Sequence, residues 1–531
     1  MDTHCSYIPY GQTGSFSKLV LDYLNNAAQL QPFYNYRPDM EGIKAAIAQR
    51  ENFENREILV GELLKQYEGL NISATTSENI RSLLKTNTFT VTTAHQPNIF
   101  TGPLYVIYKI FHAIKLAEEL NAAIPGNQFV PVYFMGSEDA DLAELNHISV
   151  NARQYAWQTK QTGAVGRMKV DNALLQLITE MEGQLHIQSH GEELTQLFRE
   201  CYKKGITIQQ ATLELMNALF GKYGLVVLIP DNASLKKLFQ PVIARELQEQ
   251  FSHKAVAETA KALEQHYKVQ ASGRELNLFY LSDDKRERIE MGNGKYHVSG
   301  LGLEWSLDEI IKELDEHPER FSPNVILRGA FQETVLPNVA FIGGGGELAY
   351  WLELKGVFNS AAIPYPVLFL RNSFLIVEKI WRKKADALNI TPEQFFEDEH
   401  SLMKRVLATN SKNKFALNGE LSQFENLYSQ IQQLTENIDP TLNDHVAALK
   451  TKTLKKLVEL EKKMLRAEKK KFVIQQDQVR KIKTALFPDG NLQERVENFS
   501  GFYAHDGKEW LDMICLHSKG LLQQFGVITA G

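Results

Sequence analysis

Cysteine is scarce in this chain: Cys5, Cys201 and Cys515 are the only three in 531 residues, and they lie far apart. An odd, scattered set excludes a disulfide framework and fits a reducing compartment. Long apolar runs are missing as well. None reaches the roughly 20 residues that a helix needs to cross a bilayer. The opening MDTHCSYIPYGQTGSF has neither a basic n-region nor an apolar h-region, so no secretory signal is expected. Positive charge is not in excess either: Lys and Arg total 58 against 64 Asp and Glu, a net charge of −6. That balance argues against a nucleic-acid surface. No spacing of His, Cys, Asp and Glu matches a metal motif. What remains, 44% hydrophobic and 23% charged residues, describes a cytoplasmic globular protein long enough for two to four domains.

The most informative stretch runs from Phe89 to Ser149. Phe89 to Thr93 is rich in β-branched residues and reads as a strand. His95-Gln96-Pro97-Asn98 makes a tight polar loop. Thr101, Gly102 and Pro103 then introduce an amphipathic run from Leu104 to Leu120, with Thr101 as the expected N-cap and Pro103 in the first turn. A second apolar run, Phe129 to Met135, ends in Gly136-Ser137-Glu138-Asp139. The order strand, loop, helix, strand is a right-handed βαβ unit, with polar residues gathered where α/β sheets bind ligands.

Residues 1–88 read as a helical region packed on the core. Val150 to Lys222 reads as mostly helical, Tyr223 to Pro230 as a buried strand, and Leu276 to Leu281 as another, followed by a charged turn at Asp283 to Arg286. Asn324 to Arg328, Asn338 to Ile342 and Val367 to Leu370 carry three more strand signals. The fold class is therefore α/β with a mostly parallel sheet. From about Leu375 strand signals vanish. Phe424, Leu427, Ile431, Leu434 and Ile438, then Val446, Leu449, Thr453, Leu457, Leu460 and Met464, repeat with coiled-coil spacing around a break at Asp439-Pro440. The pattern predicts an antiparallel helical hairpin over 375–483, with 484–531 returning to the core.

Several residues are candidates for chemistry, each with a plainer alternative. His95, at a strand end, is placed either to donate to a developing phosphate charge or merely to cap its loop. Gln96, Asn98 and Tyr105 flank it, and Gly102 with the N–H groups of the following helix is a candidate anion site. Lys109 on that helix is expected to be solvated. Glu138, Asp139, Asp141 and Glu144, followed by Asn146 and His147, form an acidic cluster that suits binding of an amine or hydroxyl, or work as a base; Asp139 and His147 lead. A surface acidic loop has the same composition. Gly343, Gly344, Gly345 and Gly346 depart from the GxGxxG fingerprint, yet four glycines before a helix let a phosphate approach the backbone. Glu347, Tyr350 and Trp351 are expected to line the first turn. Arg328 and Arg371, each read at a strand end, suit bidentate carboxylate binding or structural ion pairs.

HQPNIFTGPLYVIYK, VPVYFMGSEDADLAELNH, NVILRGAFQETVLPNVAFIGGGGELAYWLELK and the late coiled coil together resemble the BshC family, to which a cysteine ligase step of bacillithiol biosynthesis is ascribed. The resemblance covers essentially the whole chain. It implies a Rossmann-like, nucleotidyltransferase-type core with helical insertions over 89–374, and a coiled-coil domain over 375–483 that makes a homodimer. It also implies a carbon–nitrogen ligase that joins cysteine to glucosaminyl malate. His95 then stands where class I synthetase-like enzymes begin their HIGH-type signature. No second His follows at that spacing and no KMSKS-like loop is present, so use of ATP or another nucleotide stays open. The competing expectations are a nucleotidyltransferase making an activated sugar or cofactor, and a non-enzymatic metabolite-binding scaffold.

Overall fold

The structure, a computed structural model, describes residues 2–270, 273–410, 417–469 and 472–530. Its packing separates two units, one of residues 1–376 with 491–528 and one of residues 377–490 with 529–531.

The first unit is organised by five strands: β1 (Thr88–His95), β2 (Gln128–Met135), β3 (Val226–Leu228), β4 (Asn338–Gly343) and β5 (Val367–Leu370). They form one parallel sheet in the order β5-β4-β1-β2-β3. Every strand is almost wholly buried, as a parallel sheet covered on both faces requires. The threonines of β1 are buried too, and three of the four satisfy their hydroxyls on β4, while the Thr88 hydroxyl has no partner. Thr90 and Thr92 Oγ1 donate to Asn338 Oδ1 at 3.1 and 2.8 Å, and Thr93 Oγ1 donates to the Ile342 carbonyl at 2.9 Å. These bonds stitch β1 to β4. Pro131 is tolerated in β2 because β3 pairs only with Val132 to Phe134.

The chain runs from β1 through helix α1 (Tyr105–Ala123) to β2 and out to β3, then returns to β4 on the other side of β1. The order reverses between β1 and β4. In such sheets the crevice beyond the carboxyl ends at this switch point is where ligands bind. Two insertions build the walls. Between β2 and β3 come a hairpin (His147–Val150 with Arg153–Ala156) and three helices of ten or more residues. Between β3 and β4 come helices, a small antiparallel sheet of Phe321–Pro323, Leu278–Leu281 and Arg286–Arg288, and helix α2 (Val325–Val335). Helix α3 (Gly345–Glu353) then joins β4 toward β5.

Several local expectations differ from the structure. Phe374–Val377 is a strand just where strand signals vanish from the sequence. Thr101 is not the N-cap of α1: it sits in a left-handed turn with φ 72°, and the helix starts at Tyr105. Phe100, Thr101 and Gly102 all have positive φ, a strained run fixed from outside the segment. Tyr202 OH accepts the Phe100 N–H, Asn498 Nδ2 donates to the Phe100 carbonyl, and the Leu104 N–H donates to the Glu497 carbonyl. Asn324 to Arg328 is no strand but the start of α2, because the Asn324 side chain accepts the Ile326 N–H and caps the helix. Thr3–Ile8 is a strand within the region read as helical, and Phe525–Ala530 is a strand where none was expected; each pairs with a segment distant in sequence. The hairpin at 147–156 was also hidden, astride the start of the region read as helical.

The second unit is helical. Helices α4 (Asn418–Glu436) and α5 (Asn443–Lys469) are joined by a short turn at Pro440–Leu442. Leu417 N–H donates to Glu461 Oε2 while Tyr428 OH bonds to Thr453 Oγ1, so the pairing runs antiparallel. No residue of α4 is fully buried, and Leu434 and Ile438 are 64% and 79% exposed.

Candidate functional site

A cavity of about 740 Å³ opens at the carboxyl ends of the sheet, centred on the switch point. All five strands deliver residues to it: His95 from β1, Gly136 to Asp139 from β2, Pro230 after β3, Gly344 after β4 and Arg371 after β5. The two insertions close its sides through Glu144, Phe279, Arg286, Arg288 and α2.

His95 lies against Tyr105, with Nε2 3.3 Å from the phenol oxygen and the rings edge to face. Burial, followed by the cations of Lys109, Arg328 and Arg371, pushes its imidazole well below the ordinary range. At neutral pH it is uncharged, with one nitrogen able to accept and the other to donate. Lys109, expected to be solvated, is 1% exposed. It donates to the Ala94 carbonyl at 2.7 Å and forms an ion pair with Glu347. Glu347 Oε2 in turn accepts the Gly344 N–H at 2.8 Å, capping α3. One lysine thus ties the end of β1 to the glycine turn after β4.

The acids at the end of β2 are held separately. Glu138 is buried, paired with the buried Lys236 and accepting from Ser322 Oγ at 3.0 Å. Lys236 also reaches Asp231, which a bidentate Arg167 holds at 2.6 and 2.7 Å. Asp139 is half-exposed and accepts from Gln96 Nε2 at 3.1 Å, with Arg286 at 4.0 Å. These donors fix an acceptor that faces the cavity.

The glycine turn keeps its backbone open. None of Gly343 to Gly346 has positive φ, so conformation does not demand glycine there. A Cβ at Gly343 would crowd Phe341 at 2.9 Å, which is a packing reason. At Gly346 a Cβ would meet only Gln270, at 3.9 Å, and at Gly344 nothing nearer than Glu347 Oε2 at 3.5 Å. Gly344 to Gly346 therefore present bare backbone to the cavity.

The sequence candidates divide accordingly. His95, Gln96, Tyr105, Glu138, Asp139, Arg328, Gly344, Gly345, Gly346, Glu347, Tyr350 and Arg371 line the cavity, whereas Asn98, Gly102, Asp141, Asn146, His147, Gly343 and Trp351 do not. Trp351 points into the core and stacks on Phe341 at 4.3 Å, so of the two aromatic residues Tyr350 alone faces the cavity. The Gly102 N–H is taken by the Ile99 carbonyl and the Leu104 N–H by the Glu497 carbonyl, so neither of these two donors is open to an anion. His147 sits in the inserted hairpin against Asn146. Arg328 reaches the cavity from a helix rather than a strand end and bonds Tyr350 OH at 2.7 Å. Arg371 is buried, paired with Glu494 at 2.7 Å and bonded to Ser373 Oγ and the Asn372 carbonyl. Sequence reasoning missed Lys109, Arg286, Arg288 and Ser137, whose Oγ is buried at the cavity without a hydrogen-bond partner. Ser137 was within reach, since it belongs to the polar cluster that ends β2.

Two family models match the chain: "Bacillithiol biosynthesis BshC, N-terminal Rossmann-like domain" over residues 1–372, and "Bacillithiol biosynthesis BshC, C-terminal coiled-coil domain" over residues 374–530. The chain belongs to the BshC family. A relative from Flavobacterium johnsoniae, named "Putative cysteine ligase BshC", is 39% identical over 532 residues and covers 100% of both chains. Relatives of the same name from Cytophaga hutchinsonii and Bacillus cereus are 37% and 27% identical, covering 93% of this chain and 93% and 95% of their own. The N-terminal family domain holds the Rossmann-like core with its helical insertions, and the C-terminal one holds the helical coiled-coil unit together with residues 491–528 of the first unit. No described helix is long and apolar enough to cross a membrane.

Proposed function

We propose that this chain is a carbon–nitrogen ligase of bacillithiol biosynthesis that joins the carboxyl of L-cysteine to the amine of glucosaminyl malate in the cytoplasm. The observation that carries the reading is the family match along both domains, combined with a polar cavity at the switch point whose charged walls are built by buried ion pairs. An amide forms only when a carboxylate oxygen has been made a leaving group and an uncharged amine attacks the carbon. Asp139, held by Gln96 and facing the cavity, orients that amine and accepts its proton. His95, neutral beside Tyr105, donates a hydrogen bond to the oxygen that gains charge. Gly344 to Gly346 leave space for an activating phosphoryl group against the first turn of α3, consistent with a nucleotide cosubstrate. None of the three cysteines lines the cavity, so the substrate thiol has no protein thiol to pair with there.

The test is a thiol profile of cells that lack the gene, complemented with wild type, His95→Ala or Asp139→Ala. Loss of bacillithiol with accumulation of glucosaminyl malate, restored by wild type alone, supports the ligase step and both roles. An unchanged profile removes the assignment and favours the metabolite-binding scaffold. Pyrophosphate release without any requirement for cysteine favours a nucleotidyltransferase. A second copy of the chain is the proposed cover for the apolar residues that α4 leaves exposed.

A further inference from the structure

Charge inside the cavity is lopsided. Six arginines line it, Arg274, Arg286, Arg288, Arg328, Arg371 and Arg495, against four carboxylates, Glu138, Asp139, Glu144 and Glu347. Three of the carboxylates are already matched: Glu138 by Lys236, Glu347 by Lys109 and Asp139 by Arg286. Arg371 is matched by Glu494. Among the described residues Arg274, Arg288, Arg328 and Arg495 have no carboxylate partner, and only Glu144 stands on the other side. A cavity in that state favours a ligand with at least two negative charges.

The inserted sheet shows where one of those charges goes. Arg286 and Arg288 alternate along its edge strand and therefore project from the same face. Both guanidiniums lie over the ring of Phe279, 4.0 and 5.8 Å from its centroid. Their remaining donors differ. Arg286 is anchored by Ser322 Oγ and the Pro323 carbonyl, each at 3.3 Å, besides its approach to Asp139. Arg288 forms no side-chain hydrogen bond or ion pair among the described residues. It is propped by an aromatic ring with its whole fork free. Arg328, on α2, spends one donor on Tyr350 and faces the same cavity.

We propose that Arg288 is a specificity-determining residue that, with Arg328, takes up the dianionic end of the substrate, while Arg286 is the strut that holds the strand edge in place. Resting on the reading above, this end is the malyl group of glucosaminyl malate. The amine then points toward Asp139 and Glu144, at the only part of the cavity with an unmatched acid. The cavity sorts a substrate by its two ends: carboxylates to the inserted sheet and α2, amine to the end of β2.

Calorimetric titration of the full-length protein tests this, with glucosaminyl malate, with methyl glucosaminide, which lacks the malyl group, and with ATP. Wild type, Arg288→Gln, Arg288→Lys and, as a control outside the cavity, Arg153→Gln are compared at equal melting temperature. Loss of a charge-assisted pair weakens binding about 10- to 100-fold. The expected result is that loss for glucosaminyl malate in Arg288→Gln, a smaller loss in Arg288→Lys, and no change for methyl glucosaminide or in Arg153→Gln. Equal affinity of wild type and Arg288→Gln for glucosaminyl malate overturns the inference and leaves the ligase reading standing. If wild type ignores glucosaminyl malate but binds ATP, and Arg288→Gln weakens that binding, the arginine edge stands and the substrate assignment falls. Binding of neither anion by wild type overturns both.

Discussion

Replacing Gly346 by Ala separates what the glycine turn does for the fold from what it does for a ligand. Gly346 is the second residue of α3, its φ is not in the left-handed region, and the added methyl would meet only Gln270 at 3.9 Å. Alanine therefore costs no strain in the free protein and restricts the unfolded chain, a gain of about 0.5 kcal/mol at a first-turn position. For a chain of this size that is a rise in Tm of roughly 1 °C. The same methyl occupies space in front of the first-turn N–H groups. If a phosphoryl or carboxyl group approaches that backbone, contact is lost at the distance where it matters most, and kcat/KM for amide formation falls at least about tenfold, or about 1.4 kcal/mol. Differential scanning calorimetry and steady-state kinetics on one preparation read both quantities. Unchanged kcat/KM with unchanged or raised Tm would mean that no ligand group reaches the turn, and the phosphate role would be withdrawn. A Tm lowered by several degrees would contradict the open space on which the reasoning depends.

Lys109→Met leaves Glu347 half-buried and uncompensated, and should destabilise the protein by about 3 kcal/mol in urea titrations; Lys109→Met with Glu347→Gln should recover much of that, as a double-mutant cycle would record. His112 is fully buried, donating from Nε2 to the Gly520 carbonyl and accepting the Asn372 N–H at Nδ1, and burial lowers its pKa to about 4. Between its unfolded value of about 6.5 and about 4 the unfolded chain binds the extra proton, so stability should fall by up to about 3 kcal/mol as pH drops through that window, and the slope attributable to this residue should vanish in His112→Gln. Leu434→Lys, at a side chain 64% exposed, should change the melting temperature little yet shift sedimentation to a smaller species if a second copy covers that helix.

The central strands were legible because their chemistry is local. Alternating threonine and β-branched residues over Phe89 to Thr93 and the apolar run Phe129 to Met135 leave little choice but strand, and the polar residues that end each run mark the rim of the sheet. His95, Asp139 and Gly344 could be located from that rule alone. Positions decided by a distant partner were not legible. Arg371 reads like a ligand clamp until Glu494 is seen beside it. Lys109 reads like a solvated helix residue because a lone lysine in an apolar run is expected to reach water, and nothing nearby in sequence shows that Glu347 waits at the opposite turn. Trp351 and Tyr350 are neighbours about 100° apart on α3, and only the helix's rotation against β4 decides which faces the cavity. Arg286 and Arg288 fall in a charged stretch that reads as surface, and become lining residues only because the insertion folds an edge strand back over the crevice.

That division has a physical consequence for how the site evolved its charge. Each acid that touches the cavity from β2 or α3 is matched by a cation outside the loop that carries it: Lys236 for Glu138, Lys109 for Glu347, Arg286 for Asp139. Removing such a partner leaves a buried or half-buried carboxylate uncompensated. The matching cations are spent on the fold. Net attraction for an anionic substrate must then come from arginines added by the insertions, where solvent lowers the cost of leaving a cation unpaired in the free protein. A ligand that covers Arg288 and Arg328 removes that solvent and gains the full strength of the pair. On the proposed reading, substrate selection belongs to the inserted sheet and α2, and the reaction chemistry to the strand ends.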